Sequence, residues 1–598
     1  MIKNNLSALF LFALPALLLA GCGNSPGVPV SALEASQSCI GCHSSAVSQV
    51  TGASIAEEWQ VSTHNTKNGA SCADCHEPDP SHPTSCGKCH NGAAPSGQGH
   101  DVIVNADQAQ KCYKCHGLQH PADIMVAKAP QHFGNMTASL ANSTYRASFV
   151  SSLYVGNCRK CHNPHDPSTH IPINRQWAAS GHGETQVNAR IDYDFKTRGT
   201  YLPAATTFEN YCVRCHTTTG FNHFVSSGFS DLRPFAGPGY PVVQYPTLST
   251  DKTKEVTGCD ACHDDGQGNA YSFKLRTVPQ FTAFFNISTS KARVNVKLNG
   301  DDSKVVFPDA GASNMCVPCH AGRGAGRLIK IEANAPYFLN FSSTSSATSA
   351  HDFAGATVLF KIGGYEYAGR DYTNPPNFNH DGIGFNNFMN TGSNGPCIAC
   401  HMSSSESHSL LPVEFTPPIT GIDPTASVIS AVVSNACAAC HNGAVTPVVT
   451  VQYLQAKRTG FQAAVACLNA LLNRPGRLKV SGTSNWERLY GKGTGPDTMG
   501  ASFNYGLLRW EWGAYVHNDI YVKRLIYDSM DWLYDGKLDV KTNTGGYATD
   551  VEAAINSLAT ATNPWRSNPA YTYTSAELAQ VKANAIQYLL GGPGGIRP

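Results

Sequence analysis

Cys-x-x-Cys-His recurs ten times in this 598-residue chain, and no other feature constrains its folding as tightly. The copies are Cys39-Cys42-His43, Cys72-Cys75-His76, Cys86-Cys89-His90, Cys112-Cys115-His116 and Cys158-Cys161-His162, then Cys212-Cys215-His216, Cys259-Cys262-His263, Cys316-Cys319-His320, Cys397-Cys400-His401 and Cys437-Cys440-His441. They consume twenty of the 22 cysteines and leave Cys22 and Cys467. Two thiols three residues apart can add to the two vinyl groups of one porphyrin, and the next histidine then lies beneath the iron as its proximal ligand. This is the signature of covalent c-type haem attachment. Structural zinc would pair Cys and His at ribbon or finger spacings. A redox dithiol would not recur ten times. The expected cofactors are therefore ten covalently attached haems.

Ten of the 23 histidines are proximal in this reading. Thirteen remain for the opposite face of each iron: His64, His82, His100, His120, His132, His165, His170, His182, His223, His351, His380, His408 and His517. Methionine is scarce, with eight in the chain. Bis-histidine ligation of most or all haems follows, with at least three histidines to spare; two imidazoles lower a haem potential relative to a Met/His pair. Trp59-x-x-Ser-x-His64 and Trp177-x-x-Ser-x-His182 repeat one pattern that resembles the distal-ligand segments of multihaem cytochromes.

Spacing restricts the pairing. His165 follows His162 by three residues, and His120 follows His116 by four. On a helix such positions lie about 5–6 Å apart on one side, whereas axial ligands approach an iron from opposite faces. His165 and His120 should therefore serve neighbouring haems, which would tie two porphyrins together.

Residues 1–21 read as an export signal. Lys3 precedes an apolar run from Leu6 to Ala20 that is too short to span a bilayer. The run ends Leu19-Ala20-Gly21-Cys22, which resembles a bacterial lipobox and implies lipid attachment at Cys22. Residues 22–38 form a Gly/Pro/Ser/Ala-rich tether. Lys plus Arg total 43 against 42 acidic residues, a balance that excludes a strongly basic nucleic-acid binder. The haems change that balance: ten pairs of propionates would add about −20, leaving an acidic holoprotein.

The motifs divide the chain. Five fall within residues 39–175, too little polypeptide per haem for an ordinary core, so the porphyrins themselves must supply it. Residues 176–441 carry the other five with protein inserted between them. There Arg293–Leu298, Asn299-Gly300 and Lys304–Phe307 predict a β-hairpin, and residues 357–367 look strand-like. Residues 442–598 carry no motif and turn helical. Phe461, Val465, Leu468 and Leu472 share one helix face, residues 505–535 predict one long helix or two, and Thr574-x-x-Glu577 is a capping box. Cys467 is expected to be buried in the first of these helices. The fold class expected is thus a multihaem cytochrome c: loops and short helices around a haem array, minor β-hairpins in the middle, and a helical C-terminal region.

The chain resembles the outer-surface multihaem lipoprotein cytochromes c of metal-reducing bacteria, most closely the Geobacter type. The resemblance rests on the lipobox at Cys22, the ten motifs, Cys215-His216-Thr-Thr-Thr-Gly-Phe221, Gly364-Tyr-Glu-Tyr-Ala-Gly369 and the segment from His517 to Leu533. One decahaem surface class places β-domains before each haem cluster. Here the first motif begins 17 residues after Cys22, so that architecture does not carry over. The resemblance implies a lipid-anchored outer-membrane protein passing electrons to metal oxides or other extracellular acceptors. Partners would be other multihaem cytochromes and an outer-membrane porin conduit, with no nucleic acid. Two rivals remain open: a small-oxyanion reductase with one open haem, and a subunit of a polymeric haem wire.

Overall fold

A computed structural model describes residues 30–48, 53–67, 69–76, 165, 173–174, 176–177, 179–183, 213–216, 218–226, 228–229, 256–263, 274–284, 304–334, 345–346, 350–405, 407–419, 423–444, 446–474, 483–539, 550–567 and 569–598. The chain divides into two compact units. One takes residues 1–133 and 154–171, the other residues 134–153 and 172–598.

In the first unit, helix α1 (Ala32–His43) opens on a capping box in which Ser31 and Glu34 satisfy each other's backbone N–H groups. Helices α2 (Ile55–Val61), α3 (Thr63–Thr66) and α4 (Cys72–His76) follow. The Ser36 hydroxyl accepts a hydrogen bond from the Cys72 backbone N–H at 3.0 Å, pinning the second motif onto the helix that carries the first.

The second unit begins with short helices on motif segments: α5 (Val213–His216), α6 (Thr218–Ser226), α7 (Cys259–Cys262) and α8 (Val317–His320). The sheets between and after them are two-stranded and antiparallel. Lys304–Val306 forms a strand, but its described partner is Thr282–Phe284, with Thr282 opposite Val306. The expected Arg293–Leu298 arm lies outside the described residues. The strand expected over 357–367 is replaced by helix α9 (Gly355–Leu359) and a turn. Ala356, Thr357, Val358 and Leu359 are all buried there, and the Thr357 hydroxyl donates to the Ala321 carbonyl. Enclosure on every side removes the alternation a half-buried strand needs, so packing overrides β-propensity.

The C-terminal helices supply much of one apolar core that runs from Phe221 to Leu589. Helix α10 (Val451–Leu472) packs against α13 (Asp519–Asp535) and α14 (Ser575–Leu590). At the closest approach, a methyl group on Gly460 would meet Tyr588 Cβ at 2.7 Å, so glycine sets the distance between α10 and α14. The segment read as one helix or two is three: α11 (Gly495–Trp510), α12 (Ala514–His517) and α13. The chain breaks at Glu511–Gly513, and Asn518 caps α13 through its side chain. Thr574 and Glu577 form the expected capping box on α14. Cys467 is fully buried, and burial pushes its thiol up to about 12.

A charged cluster fixes the C-terminus to this core. Arg597 binds both oxygens of Asp528 at 2.7 Å, the Tyr372 hydroxyl donates to Asp528 at 2.6 Å, and Arg370 reaches Asp531 at 2.5 Å. Both aspartates are fully buried, so each charge depends on its partners.

Candidate haem-ligating sites

Six pairs of imidazoles stand opposite one another across gaps of one size, at interplanar angles from 10° to 88°, and each joins a motif histidine to a histidine outside the motifs. His76 faces His165 with ring centres 6.0 Å apart. His216 faces His351 at 6.0 Å and His320 faces His182 at 6.1 Å. His263 with His408, His441 with His380, and His401 with His517 are each 6.2 Å apart. Two imidazole nitrogens each about 2 Å from one metal lie about 4 Å apart, and about 1 Å more to each ring centre makes about 6 Å. The gaps therefore fit an iron with an axial imidazole on either side.

The outer edges of these rings are held in a way that suits ligation. His320 Nδ1 lies 2.8 Å from the Phe353 carbonyl and His401 Nδ1 lies 2.8 Å from the Leu410 carbonyl. His380 is 2.6 Å from the Val516 carbonyl, His441 3.0 Å from that of Pro447, and His351 3.2 Å from that of Asp352. A carbonyl only accepts, so Nδ1 carries the proton and Nε2 keeps its lone pair for a metal. Burial drives His351 and His401 down to about 4 and lowers His380 as well, keeping these rings neutral. His517 differs. Burial pulls it down, but Glu511 at 3.1 Å from Nδ1 outweighs burial and raises it.

The repeated Trp-x-x-Ser-x-His pattern has a local structural cause. The Ser62 hydroxyl donates to the Trp59 carbonyl at 2.7 Å, and the Ser180 hydroxyl donates to the Trp177 carbonyl at 2.7 Å. Each indole N–H then anchors to a distant carbonyl, Trp59 to Ala70 at 3.2 Å and Trp177 to Thr257 at 3.0 Å. The serine ends a helical turn, and the histidine follows on a fixed path.

Sulfurs of different motifs converge. Cys215 lies near Cys319, and Cys316 near Cys397. Cys262 lies near Cys316 and Cys319, Cys400 near Cys437 and Cys440, and Cys72 near Cys39.

Other expected residues stand as follows. His43 ends α1 and His64 lies in α3. His223 lies in α6, with its side chain outside the description. Cys22, Cys86, Cys89, His90, Cys112, Cys115, His116, Cys158, Cys161, His162 and Cys212 lie outside the described residues, as do His82, His100, His120, His132 and His170. Glu511 and the carbonyls that orient the imidazoles were not foreseeable. A carbonyl leaves no mark in residue type, and Glu511 belongs to no motif.

The chain is 30% identical to the C-type polyheme cytochrome OmcB of Geobacter sulfurreducens over 580 aligned positions, covering 82% of this chain and 73% of that protein. The OmcB sequences of strains DL-1 / KN400 and ATCC 51573 / DSM 12127 / PCA match equally. This chain belongs to the Geobacter-type multihaem c-type cytochromes. The C-type polyheme cytochrome OmcC of Geobacter sulfurreducens is 34% identical over 376 positions, 58% of this chain and 45% of OmcC. No family model matches the chain, and no solved structure matches it. Membership brings covalently bound haem c as the cofactor and electron transfer as the activity. The paired imidazoles and the half-buried motif cysteines fit that cofactor: they offer nitrogen donors on two faces and sulfur for the thioethers.

Proposed function

We propose that this cytochrome is a ten-haem electron relay anchored at the outer membrane, delivering electrons to extracellular acceptors such as metal oxides or to partner cytochromes. In this reading the twenty motif cysteines carry the thioethers and the ten motif histidines are the proximal ligands. His165, His351, His182, His408, His380 and His517 are the distal ligands of haems two, six, eight, seven, ten and nine. The other four distal ligands come from His64, His82, His100, His120, His132, His170 and His223. Cys22 carries the lipid, and a porin conduit is a fitting partner. Among the described residues no helix is long and apolar enough to cross a membrane, which accords with anchoring by lipid.

One observation carries the reading: six motif histidines each face a second imidazole at the spacing of a six-coordinate iron. Coordination filled on both faces leaves no position for a substrate and suits electron transfer. Electron paramagnetic resonance of the oxidised holoprotein should show ten low-spin haems, and the reduced protein should ignore carbon monoxide. A high-spin haem that binds the gas would overturn the relay in favour of a reductase with an open site.

A further inference from the structure

His517 is oriented unlike the other axial candidates. Five of those turn Nδ1 to a backbone carbonyl. His517 turns Nδ1 to the side chain of Glu511, 3.1 Å from Oε1. Glu511 is 2% exposed and sits at the break between α11 and α12. The Gly513 N–H donates to the same Oε1 at 3.2 Å. Oε2 is buried and has no hydrogen-bond partner among the described residues. The ring itself is boxed in, because a methyl on Gly355 or Gly513 would meet its Cε1 at 2.9 and 3.0 Å.

We propose that Glu511 is a tuning residue for the ninth haem, lowering its potential through His517 below what a carbonyl-oriented pair would give. This rests on His401 and His517 being the axial pair of that haem. The physics has two parts. A carboxylate 3.1 Å from Nδ1 attracts the ring proton and makes the opposite nitrogen a stronger donor, which favours Fe(III). A buried carboxylate short of partners also needs a positive charge nearby. A ferric haem core has a net +1 charge and a ferrous core has none, so the site favours the oxidised form twice over. A neutral carbonyl provides only the weaker, dipolar part of this.

The test is a spectroelectrochemical titration of the full haem-loaded protein beside Glu511→Gln, Glu511→Asp and His517→Ala. Glu511→Gln keeps the shape and an acceptor oxygen but removes the charge. It is expected to move one-tenth of the reduction amplitude upward by at least 59 mV, a tenfold change in that haem's Fe(III)/Fe(II) ratio at fixed potential. All haems should stay low-spin. Glu511→Asp keeps the charge and should move the same fraction much less, and it serves if the glutamine variant assembles poorly. His517→Ala should give one high-spin haem that binds carbon monoxide. Unchanged titration curves in Glu511→Gln, with His517→Ala behaving as stated, would overturn the tuning role alone. An equal shift in the aspartate and glutamine variants would overturn the charge as its cause. If His517→Ala leaves every haem low-spin, His517 is no ligand, and the axial assignment fails together with the tuning.

Discussion

Gly355→Ala should release one axial ligand while leaving the fold intact. Gly355 opens α9 and is not among the positive-φ positions, so the backbone accepts alanine. On a helical backbone the exchange favours folding by about 0.5–1 kcal/mol. The cost falls on the neighbouring ring: the new methyl would sit 2.9 Å from His517 Cε1 and 3.3 Å from Nδ1. Carbon atoms rest comfortably at about 3.5–4.0 Å, so the ring must retreat by about 0.6–1 Å. An iron–imidazole bond is only about 2 Å long, and such a displacement takes away a large part of its overlap. Gly513 packs on the same Cε1 and limits where the ring can go. The expected result is one high-spin haem and one carbon monoxide bound per reduced molecule, with the other haems unchanged. Gly506→Ala is the control: it lies in α11 with nothing within 4 Å of the added methyl, and should leave every haem low-spin. Ten low-spin haems that ignore carbon monoxide in Gly355→Ala would refute the reasoning, because the ring would then have room the packing denies it.

Other residues give further predictions. Asp528→Ala leaves the buried Arg597 and Arg370 guanidinium groups short of their counter-charge, and should cost about 3–5 kcal/mol in guanidinium unfolding; a loss under about 1 kcal/mol would mean the cluster is not what holds the C-terminus. Burial pushes Asp531 up to about 7, opposed by the Asp539 backbone N–H and the Arg370 charge and helped by the Asp539 and Asp528 carboxylates. The folded state then keeps a proton that the unfolded chain releases near 3.8, so stability should fall as pH rises from about 4 to 7. Asp531→Asn should flatten that slope, and an unaltered slope would assign it to another group. Cys467, buried and pushed up to about 12, should resist alkylation in the native protein and react once it is denatured; modification of the folded form would show that α10 opens.

The haem c cofactor was legible because covalent attachment demands fixed residue types at fixed spacing. The helix face of Phe461, Val465 and Leu468 and the Thr574–Glu577 capping box were legible for a similar reason: both are local patterns. The strand expected at 357–367 failed because Thr357 and Val358 are enclosed on all sides, and enclosure depends on residues far away in the chain. Lys304–Val306 was rightly extended, and its pairing with Thr282–Phe284 was not foreseen, since a strand's own sequence does not name the segments it pairs with. The histidine pairs were hidden in the same way. His351 lies 31 residues after the eighth motif histidine yet faces His216 of the sixth, and His408 follows the ninth motif yet faces His263 of the seventh.

That crossing has a consequence for how the second unit assembles. The sulfurs of motif six meet those of motif eight, motif eight also adjoins seven and nine, and nine adjoins ten. The neighbourhood of attachment sites thus branches at motif eight instead of following chain order. The segment Val516–His517 joins two of these sites. Its carbonyl orients His380 opposite His441 of motif ten, while the next side chain faces His401 of motif nine. Each imidazole pair closes a loop between distant parts of the chain, and a loop is costly to close until something joins its ends. With haem as the joint, the energy of ligation becomes energy of folding. Losing one haem should then loosen both segments it joins. Omitting the ninth haem by Cys397→Ala and Cys400→Ala should raise hydrogen exchange around 513–518 and around 380 as well as at the motif itself. Exchange confined to residues 396–401 would show that the haem sites fold independently of one another.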